Sequence, residues 1–184
     1  MSRLYYCLMK AFSALLIPAV FLFAQPLQAE NIQFHDPYSI EADHIEAVFS
    51  EMTDEERLAQ LLMVGWPTAE PSGEIMRWIE ERNLGSVKIF GWNGRDAGVL
   101  ANSLSRMQTA ARRQGCGIPL FTATDQEGGW VRHIKDVTTI TPGNMSIGAS
   151  GISYDAYRSG YYIAEELRYL GVNMNLAPTV DVYT

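Results

Sequence analysis

The apolar residues fall into two kinds of run: short continuous ones bounded by glycine, and longer ones spaced in steps of three and four. The first kind predicts buried strands and the second amphipathic helices, because helical side chains repeat about every 3.6 residues. Thr53 and Glu56 form a capping-box pair, which predicts a helix from Asp54. Residues 61–66 are an apolar run closed by Gly65 and Pro67, and predict a first buried strand. In residues 72–83, Ile75, Met76 and Ile79 share one helical face, and Asn83 with Gly85 ends that helix. Residues 85–90 predict a second strand, followed by a turn at Asn93-Gly94. Ala97, Leu100, Leu104, Met107 and Ala111 then mark a helix that stops at Gly115. Residues 118–124 predict a third strand, and a long polar loop follows it. Ser153 is expected to cap the next helix, with Ala156, Ile163, Ala164, Leu167 and Leu170 facing inward and Gly171 in the left-handed position at its end. Residues 172–182 predict a fourth strand.

Strands alternating with helices indicate a parallel sheet covered by helices, since parallel strands need crossover connections. A doubly wound sheet and a (β/α)8 barrel both fit this order. An open sheet of four strands is complete within the chain, whereas a barrel needs about 250 residues. Asn173 and Asn175 would place two amides on one face of the last strand. That is tolerable inside a barrel and awkward under a hydrophobic helix layer. Periodicity alone leaves the two folds open.

The N-terminus changes the domain picture. Arg3 and Lys10 precede an apolar run over residues 11–24, and no acidic residue occurs before Glu30. The run is short for a membrane span and suits the core of a signal peptide, with cleavage expected after Ala29. Residues 1–29 are therefore read as a signal peptide, 30–50 as a polar lead, and 51–184 as the folded part. Export to the periplasm or cell exterior is expected, with no membrane attachment after cleavage. Cleavage also removes Cys7, and Cys116 alone cannot make an internal disulfide. Between Gly115 and Gly117 it reads as a small packing residue.

The 184 residues are 47% hydrophobic and 19% charged, which excludes a disordered or low-complexity chain. Lys and Arg number 14 against 21 Asp and Glu, with no basic cluster, so nucleic acid is not the expected partner. His35 and His44 lie in the polar lead and are expected to be exposed. No ligand pair has the spacing of a metal site. Oligomeric state is not legible.

Chemistry concentrates in residues 125–144, directly after the third predicted strand. In parallel α/β folds ligands gather at the C-terminal ends of strands. Here stand the carboxylates of Asp125 and Glu127, the amide of Gln126, the indole of Trp130, the guanidinium of Arg132 and the imidazole of His133. Gly128-Gly129 allows a sharp turn and close approach of backbone to a ligand. Carboxylate acceptors, cationic donors and an aromatic platform suit a sugar, whose hydroxyls take hydrogen bonds while its C–H faces stack on rings.

The order of these residues, DQEGG followed by Val131-Arg132, resembles the signature of glycoside hydrolase family 3, in its β-N-acetylglucosaminidase (β-N-acetylhexosaminidase) branch. MTDEERLAQLLMVGW is similar to that family's opening helix and first strand, and GSVKIFGWN to its second strand and loop. TPGNMSIGAS and AEELRYLGVNMNLAPTVDV are similar to later segments, so the resemblance runs from about Met52 to Val182. Five motifs in order are far more specific than one.

The resemblance implies the first half, about four βα units, of a (β/α)8 TIM-type barrel, incomplete at its C-terminus. It implies retaining hydrolysis of terminal β-linked N-acetylglucosamine in peptidoglycan- or chitin-type saccharides, without metal or cofactor. The nucleophilic Asp and the acid/base His are then expected beyond Thr184, leaving this fragment without a catalytic pair and inactive alone. Alternatives are a non-catalytic sugar-binding remnant, a truncated gene product, or a β-glucosidase or β-xylosidase of the same family. Asp125 occupies the position that holds hydroxyls of the terminal sugar. The family has Arg where this chain has Trp130 and again at His133, so the gripping cation is expected to be either His133 or Arg132. Glu127 is expected to bond within its own loop. Asp181 is a candidate for the pocket or a cap of the next loop.

Overall fold

A computed structural model describes residues 42–135 and 137–181. The signal peptide, His35 and most of the polar lead lie outside the described residues. The end of the polar lead is helical: Ala42–Glu51 forms α1. Its last turn is held by Arg57, whose Nε and one Nη donate to the Phe49 carbonyl at 3.2 and 2.8 Å. His44 is exposed, as expected.

Helix α2, Asp54–Gln60, starts where the capping box places it. The Thr53 hydroxyl accepts from the Glu56 N–H at 3.3 Å, and the Thr53 N–H donates to the Glu56 carboxylate at 2.9 Å. The capping satisfies two amides that the first turn leaves without helical partners. Strand β1 is only Met63–Gly65, followed by α3, Gly73–Arg82, and β2, Ser86–Lys88. Helix α4, Ala97–Arg113, leads into β3, Phe121–Thr124. Ile75 and Ile79 of α3 and Leu100, Leu104 and Met107 of α4 are buried with Val87, Ile89 and Leu120 in the core.

The region expected as a long polar loop is structured. It forms an antiparallel hairpin, β4 (Gln126–Gly128) with β5 (Val131–Arg132), and a short helix α5, Asn144–Ser150. Helix α6, Ser153–Tyr169, begins with Ser153 as its first residue, not its cap; Ile152 is the cap and makes no side-chain bond. Ile163 and Leu167 are buried on α6, but Ala156 and Ala164 are exposed: the contact with the core is limited to the C-terminal half, and there to the stripe of Ile163 and Leu167, four residues apart. Gly171 ends the helix with φ +88°. The fourth strand, β6, is Met174–Asn175 only, far shorter than the apolar run suggested.

All four main strands are parallel, in the order β1-β2-β3-β6. Val64, Val87 and Thr122 share one register row, and Met63, Ser86 and Phe121 the next. Alternation of side chains puts these rows on opposite faces. Helices α3 and α4 bury the first face; on the other, Met63 is 39% and Phe121 54% exposed. The expectation that residues 61–66 form a buried strand therefore fails for Met63: β1 is an edge strand with one uncovered face, and Leu61 is exposed too.

The amides of Asn173 and Asn175 are not buried without partners. Asn173 Oδ1 accepts from the Thr122 N–H at 2.8 Å while its Nδ2 donates to the Leu120 carbonyl at 2.9 Å. Asn175 repeats this on Gln126, with both bonds at 3.0 Å. Each side chain thus completes ladder positions that the two-residue strand β6 cannot fill with its own backbone. No helix among the described residues is long and apolar enough to cross a membrane.

Candidate functional site

Strands β2 and β3 run side by side, with Lys88 paired in register to Ala123, so Lys88 and Asp125 rise from the same face beyond it. Lys88 Nζ donates to Asp125 Oδ1 in an ion pair. His133 Nε2 lies 3.2 Å from Asp125 Oδ2. An ionised carboxylate only accepts, so this contact requires a proton on Nε2. Lys88 is 12% and Asp125 31% exposed at the side chain. Burial works to raise the Asp125 carboxyl, but the hydrogen bonds and charges of Lys88 and His133 outweigh it and hold the group below its ordinary value.

His133 reaches this place because Gln126 closes the hairpin loop around it. Gln126 is buried; its Nε2 donates to the Ile134 carbonyl at 2.8 Å and to Thr138 at 2.9 Å, and its Oε1 accepts from the Ile134 N–H at 3.2 Å. The His133 N–H then returns to the Asp125 carbonyl at 3.3 Å. Gly128 and Gly129, at φ +87° and +57°, make the tip of the hairpin. A Cβ on Gly128 would stand 2.5 Å from Thr141 Oγ1, and one on Gly129 2.8 Å from the Gly143 Cα. The close approach expected of this pair is therefore to residues 141–143 of the chain itself.

The wall beside His133 is aromatic. Phe90 meets the His133 ring edge-on at 5.6 Å and stacks on Trp92 at 4.8 Å. Trp92 is fixed by donating Nε1 to the Trp66 carbonyl at 2.8 Å. Asn93 locks the turn beneath it: its Oδ1 accepts from the Phe90 N–H at 2.8 Å, and its Nδ2 donates to the carbonyls of Trp66 and Thr68 at 3.1 and 2.6 Å. An open cleft of about 370 Å³ lies here, lined by Gly91, Trp92, Gly94, Arg95, His133 and Lys135. A larger cleft of about 640 Å³ between α2 and α3 shares no residue with this group.

Of the residues singled out in the sequence, the structure joins Asp125 to His133. Arg132 turns back on its hairpin, with Nε on the Gly129 carbonyl at 3.2 Å. Trp130 is 96% exposed at the hairpin tip, and Asp181 is exposed. None of these three is bonded to Asp125. Glu127 does not bond within its own loop; its Oε2 accepts from the Thr179 N–H at 3.2 Å, in the segment after β6. Lys88 was not singled out. A lysine between Val87 and Ile89, both fully buried, was the available signal, because a charge in a buried strand needs a partner.

The family model for the glycosyl hydrolase family 3 N terminal domain matches residues 53–184. The chain is 33% identical over 164 residues to beta-hexosaminidase A of Pseudoalteromonas piscicida, covering 78% of this chain and 27% of that protein. It is similar in structure to a glycoside hydrolase family 3 beta-N-acetylglucosaminidase from Paenibacillus sp. str. FPU-7, with TM-score 0.68 and 34% identity over 71% of this chain and 25% of the other. A beta-N-acetylhexosaminidase from Beutenbergia cavernae gives TM-score 0.57 and 30% identity over 69% of this chain and 38% of its own. The chain thus spans between a quarter and two fifths of the length of these relatives.

Proposed function

This chain belongs to glycosyl hydrolase family 3, and from that membership we propose that it serves the removal of terminal β-linked N-acetylglucosamine from peptidoglycan- or chitin-type saccharides. The four-stranded parallel sheet is read as the first half of a (β/α)8 barrel, with its site at the C-terminal strand ends. Retaining hydrolysis needs a carboxylate nucleophile and a proton donor on either side of the glycosidic bond. In this reading both come from chain outside residues 1–184, and Asp125 with its neighbours supplies one wall of the sugar pocket. Loss of residues 1–29 on export would bring the protein to extracytoplasmic saccharides.

The observation that carries the reading is the Asp125 carboxylate, held by one donor on each oxygen beside the Phe90–Trp92 stack. Each oxygen keeps a free lone pair, so the group can accept from two neighbouring sugar hydroxyls while the aromatic wall meets C–H faces. The test is a titration of the full chain with methyl β-N-acetylglucosaminide, followed by NMR. Binding that weakens at least about tenfold in Asp125→Asn, worth about 1.4 kcal/mol, is the expected result. The chain alone should not turn over a nitrophenyl β-N-acetylglucosaminide. A chain that binds no N-acetylglucosaminide, or binds it equally well as Asp125→Asn, overturns the reading.

A further inference from the structure

Asp125 is approached by charged or titratable groups from two elements: Lys88 at the end of β2, and His133 in the loop after β5. The other cation of that hairpin, Arg132, donates Nε to the Gly129 carbonyl and makes no bond to Asp125, while its buried Nη1 has no partner among the described residues; the nearby carboxylate of Glu127 faces Thr179. Among the described residues, Lys88 is thus the ammonium partner of Asp125. Its own setting is restrictive. The side chain is 12% exposed, its neighbours Val87 and Ile89 are fully buried, and Nζ lies 5.8 Å from the Phe90 ring centroid.

We propose that Lys88 is a positioning residue of the sugar pocket: its ammonium, seated on Asp125 Oδ1 opposite His133 on Oδ2, fixes which oxygen lone pairs face a ligand. This rests on the reading of Asp125 as a hydroxyl acceptor. A carboxylate offers about four lone-pair directions, and Lys88 and His133 take one on each oxygen. Without Lys88, rotation about the carboxylate torsion is held by the single contact to His133. The partly buried carboxyl would also protonate more readily. A protonated carboxyl becomes a donor on one oxygen and no longer accepts from two hydroxyls. Lys88 therefore acts on recognition through Asp125, from a strand remote in sequence from the hairpin that carries the other contact.

The test compares the full chain with Lys88→Met, which keeps the length of the side chain and removes its charge, and with Lys88→Arg. Carbon-detected NMR follows the titration of the Asp125 carboxyl, and ligand titration with methyl β-N-acetylglucosaminide follows affinity. In Lys88→Met the Asp125 titration should move up by at least about one pH unit, and affinity should fall about tenfold at neutral pH. Lys88→Arg should leave the titration near that of the parent chain. A merely structural lysine would change melting temperature while leaving the affinity for methyl β-N-acetylglucosaminide at neutral pH in place, and that result overturns the proposal. If Lys88→Met does not fold, the double variant Lys88→Met/Asp125→Asn decides. Recovered folding supports the pairing of the two charges, and failure to recover overturns it. A parent chain that binds no N-acetylglucosaminide would refute the sugar reading, while the Asp125 titration still decides the part played by Lys88.

Discussion

At Gly128 two constraints meet that no other residue satisfies. Its φ of +87° is costly for an L side chain, and Thr141 Oγ1 and the Pro142 carbonyl lie 2.5 and 2.8 Å from where a Cβ would sit. Gly128→Ala should cost about 3 kcal/mol, read from urea unfolding. The damage should reach the site, because the same hairpin carries His133 to Asp125; loss of the His133 contact would appear as a shift of its ring resonances. An unfolding midpoint equal to that of the parent would refute the steric account. The two glycines were legible as a turn. What crowds them was not, since residues 141–143 come back to the hairpin only through the path of the intervening loop.

Elements here owe their definition to side chains that stand in for missing backbone partners. The capping box of Thr53 and Glu56 was readable because both partners lie within one turn, so spacing alone specifies the contact. The amides of Asn173 and Asn175 were readable as polar residues on one strand face, but their partners, Leu120, Thr122 and Gln126, lie about fifty residues away along β3 and its flanks. Thr122 and Leu120 are almost fully buried, so Asn173→Ala should strand one N–H and one C=O and cost about 1–3 kcal/mol. Faster hydrogen exchange at the Thr122 amide is the specific signature. Asn173→Asp should restore the acceptor for that amide while losing the donor to Leu120, and should protect Thr122 again. Unchanged exchange in Asn173→Ala would show that water or backbone replaces the side chain.

For the molecule as a whole, the sheet is covered on one face by α3 and α4 and leaves Met63 and Phe121 of the opposite face open. Exposed apolar side chains on a sheet favour association, and β1 and β6 add unpaired edges among the described strands. The chain expressed alone should self-associate at roughly micromolar concentrations, and Phe121→Asp should shift it toward monomer in sedimentation velocity. Because Phe121 is half exposed, the substitution should leave the melting temperature nearly unchanged. A parent chain that is already monomeric under the same conditions would contradict this. The open face is also the face on which Lys88 stands, so association and sugar binding should compete.

The amino-acid sequence by itself determined the order of strands and helices, the start of α2, the end of α3 at Asn83, the glycine turn, and the family resemblance. These are local patterns: periodicity, caps and motifs carry their physics within a few neighbouring residues. Tertiary structure decided how short β1 and β6 are, which face of the sheet lies open, and that α1 occupies the end of the polar lead and β4, β5 and α5 the long polar loop. It also decided that His133, and not Arg132, stands on Asp125, and that Lys88 is its other partner. Those contacts join β2 to β3 and its hairpin across 37 residues between Lys88 and Asp125. A pair of opposite charges so far apart in a chain is brought together only by strand register, which the spacing of residues does not encode.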